Sequence, residues 1–412
     1  MYALLFLIEM DYVPFSSTIF HLRYIDFLHI IADNPADRVD YLTEKVIKMD
    51  SKQRVSLALA HSEPDRVPID YWATSQVNAR LLKHYGFSSQ EQLLQYFDVD
   101  FRYIEGPKYI GPELAVRSDG SKEDHFGVPR RPVTYGDGAS AGTYSEVAEY
   151  PLQKASSVDE IESYPKWPRA DWFDYECVRQ QARRASQTGK VVVFMGDRLN
   201  RCSQLKPAMY VRGVEQILMD VVINPQIAKA VFGCIADFYA EYARRTLEAA
   251  DGNIDIFFTG DDFGTQDNTF MSTEMWRRLL RDGFKRFVDI GHQFGCKVAH
   301  HTCGSVFTLI PDFIDCGLDI LNSLQPDVAG MDYKKIKEQF GSRISFHGGI
   351  SIQKTMPYGT PEDIRNEVKD RVGKLAPGGG YIFCTAHNIQ VDTPIRNIEA
   401  LFEAYRVYGK YK

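Results

Sequence analysis

Residues 297–305 read KVAHHTCGS. An apolar start runs straight into two histidines, a threonine, a cysteine and a glycine. The design recurs along the chain, in RVPIDYW, DFRYIEG, KVVVFMGD, NIDIFFTGDD, LDILNSLQP, RISFHGGI and GYIFCTAHN. Each run is a short Val, Ile, Phe and Tyr stretch with little alternation, as expected of strands buried on both faces of a parallel sheet under helices. Helix-patterned segments lie between the runs and carry start signals. Asn224-Pro225, Thr360-Pro361 and Thr393-Pro394 each put a capping side chain before proline, and Ser272 with Glu274 opens another helix. About eight β–α units in order predict the α/β class and a (β/α)8 TIM-like barrel. An open doubly wound sheet is the alternative, but the GxGxxG turn after the first strand is missing. Residues 111–150, rich in Gly, Pro, Ser and Asp, break the rhythm and read as a hairpin insertion after strand two.

The chain has 412 residues, 44% hydrophobic and 25% charged, which is ample for a large core. With a net charge of −7 and no basic stripe, nucleic acid is not an expected partner. The seven cysteines are scattered without framework spacing, which predicts a reduced, cytoplasmic chain. The start, MYALLFLIEMDY, is apolar for eight residues but lacks a positive flank and is too short to span a bilayer. Residues 1–48 are expected to be an extension outside the fold, or else an amphipathic docking helix for a partner or membrane surface. The barrel is expected over 49–412, and nothing else in the chain suggests a membrane.

Barrel enzymes carry their chemistry where strands end. Here those ends hold Asp197 and Arg198 (strand three), Asp261 and Asp262 (four), His301 and Cys303 (five), Asn322 and Gln325 (six), His347 (seven), and His387 and Asn388 (eight). Side chains two apart on a strand share a face. His301 and Cys303 therefore project together, while His300 and Thr302 point away. An imidazole and a thiolate are two ligands of a tetrahedral zinc. His387 is the first candidate for a third ligand, Cys384 the second, and Asp261 or Asp262 a possible fourth. Asp261 and Asp262 either cap a turn or serve the site. His347, beside two glycines, is either hydrogen-bonded in a tight loop or a substrate contact. Asp197, Arg198, Gln325 and Asn388 are expected to line the substrate.

The ordered blocks PDRVPID, DDFGTQ, HHTCGS, CGLDILNSLQPDVAGMD, FHGGISIQKTMPYGTPEDIRNEV and GGGYIFCTAHNIQVDTPIRNI resemble the uroporphyrinogen decarboxylase superfamily. The resemblance covers about 49–408 and implies a (β/α)8 barrel, often dimeric. Its metal-free decarboxylases carry an RQAGR stretch where this chain reads DYWATSQVNAR. Its corrinoid-linked methyltransferases hold zinc with an H-x-C-G pair, matched by His301 and Cys303, and a later cysteine where this chain has His387. The resemblance thus implies a zinc-dependent methyl transfer between a corrinoid (cobalamin) carrier, free or on a corrinoid protein, and a thiol or small methylated substrate. Asp261 or Asp262 would then orient or accept a proton. The runner-up is a decarboxylase of a tetrapyrrole, with Arg198, Arg201 or Arg212 on carboxylates. A third reading is a non-catalytic corrinoid- or tetrapyrrole-binding protein.

Overall fold

The computed structural model describes residues 49–135 and 142–411; the expectations for residues 1–48 lie outside the described residues. Seven of the apolar runs become a parallel sheet in chain order: Phe101–Ile104, Val191–Phe194, Ile256–Gly260, Lys297–His301, Ile320–Leu324, Ser345–Ile350 and Tyr381–Thr385. The first run, RVPIDYW, supplies the closing strand through residues 67–70. On one side, the Asp100 amide donates to the Ile69 carbonyl at 2.9 Å. On the other, the Phe383 amide donates to Pro68 at 2.8 Å and the Asp70 amide to Phe383 at 2.9 Å. Eight strands thus close the barrel, and helices follow them on the outside, as the alternation predicts.

The closing strand is short, and a buried charge cluster beneath it compensates. Asp100 is wholly buried at the entrance to strand two. Its carboxylate accepts from Ser51 Oγ at 2.7 Å, Arg54 Nη1 at 2.8 Å, Arg66 Nη1 at 2.8 Å and the Ile69 amide at 3.0 Å. Inside the barrel, Trp72, Phe101 and Phe258 pack around the His347 ring at centroid distances of 5.3, 6.5 and 6.0 Å. The interior below the mouth is therefore filled.

Helix starts follow the expected chemistry at two of four places. Thr360 forms a reciprocal capping box with Asp363, and Ser272 accepts the Met275 amide. Asn224 instead reaches back to Asp220 at 3.4 Å and caps nothing. Thr393 also fails to cap: Pro394 is itself the cap residue, so Thr393 sits one position too early.

The insertion after strand two contains the expected hairpin, Pro129–Tyr135 against Gly142–Val147, with Lys122–Glu123 as a third antiparallel strand. It is tied down by the buried Asp124–Arg130 pair at 2.6 Å. The Arg130 guanidinium lies 4.5 Å from the centroid of the Tyr210 ring, whose hydroxyl accepts from Arg198 Nε at 2.6 Å. The insertion therefore braces the barrel mouth.

Replacing Asp100 with Ala strips a common partner from the buried Arg54 and the half-buried Arg66. The expected loss is about 3–5 kcal/mol of folding stability, read as a fall in denaturant midpoint with unchanged far-UV circular dichroism below the transition.

Candidate active site

The loops after strands four and five approach so closely that side chains are excluded between them. Gly304 has φ +87°, and a Cβ there would stand 2.3 Å from the Gly264 carbonyl carbon. Glycine is needed on both counts. This contact, with the Gly264 amide donating to Cys303 O at 3.2 Å, sets Asp262 beside Cys303. One oxygen of Asp262 accepts the Cys303 amide at 3.1 Å and lies 3.9 Å from His301 Nε2.

His301, Cys303 and His387 converge. Their candidate ligand atoms all lie within 4.8 Å of one another, and Cys303 Sγ is 3.5 Å from His301 Nε2. Zinc bonds of roughly 2.0–2.3 Å set tetrahedral ligands about 3.3–3.8 Å apart, so this pair fits a shared ion. His301 Nδ1 is tied to Asn322 Oδ1 at 2.5 Å, which leaves Nε2 toward the sulfur. The fit of His387 needs an adjustment. Its Nδ1 accepts the Asn388 amide at 2.8 Å, so ligation requires the ring to release that bond or turn. The donor set of one sulfur and two imidazoles suits zinc.

The electrostatics favour a cation. Burial pushes the Cys303 thiol up to about 12, and the nearby Asp262 carboxylate adds to this. Without a bound cation the sulfur stays protonated at neutral pH. Burial pulls His301 down to about 3, with Arg201 adding to the effect, so its ring is neutral and able to ligate. Burial lowers His387 too. Burial opposes ionisation of Asp262, yet the positive charge around it, including its ion pair with Lys206, holds it below the ordinary carboxylate range.

The two histidines of the trio open on a cavity of about 560 Å³, lined also by Asn388, Asp262, Arg198 and Arg201 among others. A second cavity, about 820 Å³, adjoins it. The two share Met195, Gly196, Asp197 and Asn388, and Tyr71, Trp72, Tyr103 and Tyr109 give the second an aromatic wall. Arg201 has no salt bridge or side-chain hydrogen bond among the described residues, and its buried Nε is unpartnered. Burial lowers its affinity for protons.

Several strand-end residues take other tasks. Asp261 lines the cavity wall, but its carboxylate accepts the amides of Gln204, Leu205 and Lys206, each at 2.6 Å, and so holds the start of helix Leu205–Arg212. His347 reaches neither cavity. It is 1% exposed, with one nitrogen 2.6 Å from Asn322 Nδ2 and the other 2.9 Å from Asp70 Oδ2. Gln325 lines neither cavity and accepts the Gly304 amide at 3.0 Å, bracing the turn after Cys303. Asp197 lines both cavities but uses Oδ1 on the amides of Leu199 and Asn200. Arg212 is buried in a pair with Asp220 and bonds carbonyls of residues 152–155, away from the mouth. Cys384 is wholly buried, and burial raises its thiol far out of reach of ionisation. It forms a second trio with Asp70 and His347, but those two already satisfy each other.

Lys206 and Asp70 were missed. Lys206 stands in a helix after strand three, where a search of strand ends does not look. Asp70 ends the first strand and was visible as the last letter of PDRVPID.

A (β/α)8 barrel whose C-terminal mouth gathers two imidazoles and a thiol defines the class of protein. The family model described as uroporphyrinogen decarboxylase (URO-D) matches residues 139–408, and the chain belongs to that family. It is 25% identical over 197 residues to a methylated-thiol--coenzyme M methyltransferase of Methanosarcina mazei, covering 48% of this chain and 49% of that protein. It is 28% identical over 171 residues to the methylcobamide:CoM methyltransferase MtaA of Methanosarcina barkeri, covering 40% of this chain and 45% of that one. The chain thus spans about half the length of these methyltransferases. It is also 26% identical over 270 residues to a uroporphyrinogen decarboxylase of Mannheimia succiniciproducens, covering 63% of this chain and 70% of that protein. A solved methyltransferase structure from Methanosarcina mazei superposes with a TM-score of 0.60 at 18% identity, over 88% of this chain and 99% of that one. That likeness is one of fold.

Among the described residues no helix is long and apolar enough to cross a membrane, and all seven cysteines are unpaired.

Gly304→Ala should cost roughly 2 kcal/mol or more, since the backbone needs φ > 0 and the new methyl meets backbone atoms. Chemical denaturation beside the wild type measures it.

Proposed function

We propose that this chain is a zinc-dependent methyltransferase. It would move a methyl group between a corrinoid carrier and a thiol or small methylated substrate. The observation that carries this reading is the 3.5 Å approach of Cys303 Sγ to His301 Nε2, with His387 beside them and both histidines lining an open cavity. Kinship with methyltransferases supports it. A zinc ion held by His301, Cys303 and His387 would leave one position for a substrate thiol and lower that thiol's pKa, making a nucleophile at neutral pH.

The chain's own residues do the rest. Asp262 holds the Cys303 backbone in place and sets negative charge against the cluster. Lys206 balances that charge, so the site does not become over-anionic. Arg201 offers an unpaired guanidinium to an anionic group on the substrate. The adjoining aromatic cavity gives the second reactant a place next to the first. His387, with its Nδ1 already accepting a hydrogen bond, can present an N–H to substrate whenever it is not a ligand.

Purified protein grown with zinc should hold close to one ion per chain. Cys303→Ala should lose it, measured by elemental analysis. Binding must displace the Cys303 proton, so apparent zinc affinity should rise about tenfold per pH unit across the neutral range, followed by competition with a chelator. Metal-stripped protein that releases carbon dioxide from uroporphyrinogen at full rate would overturn the reading in favour of a decarboxylase.

Arg201→Met should raise KM for an anionic thiol about tenfold or more, the loss of one charge-assisted contact. It should leave KM for an uncharged thiol unchanged. Steady-state kinetics with the two substrates decides this.

A further inference from the structure

His301, Asn322 and His347 are register partners on three neighbouring barrel strands, so they stand at one level of the interior. A hydrogen-bonded chain runs through them and ends on Asp70. We propose that Asn322, His347 and Asp70 are positioning residues that lock His301 in the tautomer with hydrogen on Nδ1, presenting the Nε2 lone pair to Cys303. The metal role of that lone pair rests on the function proposed above; the lock itself does not.

The polarity of the chain is set from its far end. Asp70 Oδ2 receives Trp72 Nε1 at 3.0 Å and the Tyr103 hydroxyl at 2.6 Å, and Oδ1 receives the Tyr71 amide at 2.7 Å. All of these are donors, so the carboxylate acts as an acceptor throughout. His347 Nε2, 2.9 Å from Oδ2, must then carry hydrogen. In a neutral ring that makes His347 Nδ1 the acceptor. Its neighbour at 2.6 Å must donate, so the Asn322 NH₂ faces His347 and the amide oxygen faces His301. His301 Nδ1, at 2.5 Å from that oxygen, is therefore the protonated nitrogen. Reversing the amide would set its oxygen against the His347 Nδ1 lone pair, acceptor against acceptor.

No solvent is available to relieve such a mismatch. Asp70, Asn322, His347 and His301 are 3, 0, 1 and 5% exposed. Trp72 packs over both rings, at 5.9 Å from His301 and 5.3 Å from His347. An amide in the middle of the chain orients its neighbours but does not pass a proton along. The device therefore sets direction and is not a proton wire.

The test uses the wild-type protein, metal-free, with ¹⁵N-labelled histidine. Two-bond ¹H–¹⁵N spectra near neutral pH report imidazole tautomers, and His301→Gln and His347→Gln assign the signals. The expected result is His301 with hydrogen on Nδ1 and His347 with hydrogen on Nε2. A His301 ring protonated on Nε2, or one exchanging between tautomers, overturns the proposal. The second arm measures zinc affinity by chelator competition. Asn322→Leu should weaken it about 10–100-fold, the usual effect of losing a ligand's hydrogen-bond partner. Asn322→Asp keeps an acceptor for His301 but sets a second acceptor against His347 Nδ1, so its affinity should fall between that of Asn322→Leu and wild type. Equal affinity in wild type and Asn322→Leu would overturn the positioning role. Wild-type protein that binds no zinc yet shows the expected tautomers would sink the proposed activity and support the lock.

Discussion

The strand that closes the barrel is held from below by a shared carboxylate. Residues 67–70 are too few to make a full ladder with either neighbour. Asp100 compensates by binding the Ile69 amide while bridging Arg54 and Arg66, whose charges Asp65 and Asp98 help to balance. A buried and a half-buried guanidinium around one carboxylate are tolerable because its lone pairs are used and each cation has a second acid. The same four residues end in Asp70, the terminus of the chain that reaches His301. Closure of the fold and orientation of the site thus depend on a single short segment.

At the mouth, the arrangement separates two neighbouring acids by environment. Asp261 is consumed by three amides at a helix start and acts as structure. Asp262, one residue on, is set against the cluster with Lys206 and faces His301. Both follow the end of strand four at Gly260, where the chain turns one carboxylate to the helix start and the other to the cluster. The thiol beside Asp262 is protonated where it stands, and a bound cation would supply the charge that ionises it.

Much of this was legible in the letters. The eight apolar runs named the strands in order, and alternation placed His301 and Cys303 on one face with His300 behind, stacked on Phe263. The Gly- and Pro-rich stretch gave the hairpin. Depth was not legible. His347 and His301 both end apolar runs, yet His301 lines a cavity while Trp72, Phe101 and Phe258 surround His347, and nothing local in RISFHGGI says so. Partner choice was equally hidden, because Arg201 and Lys206 come from the segment after strand three and meet strands four and five only in space. Thr393 failed as a cap through a shift of one residue, which is the ordinary uncertainty of helix ends.

The two hollows at the mouth share a wall made of Met195, Gly196, Asp197 and Asn388. Below them the barrel is plugged by aromatic rings, so there is no rear exit. Two ligands seated in these hollows would each have a compartment of its own, separated only by that shared wall. Such a layout suits a reaction in which donor and acceptor are resident together, with direct hand-over between them, rather than one in which the first must depart before the second arrives.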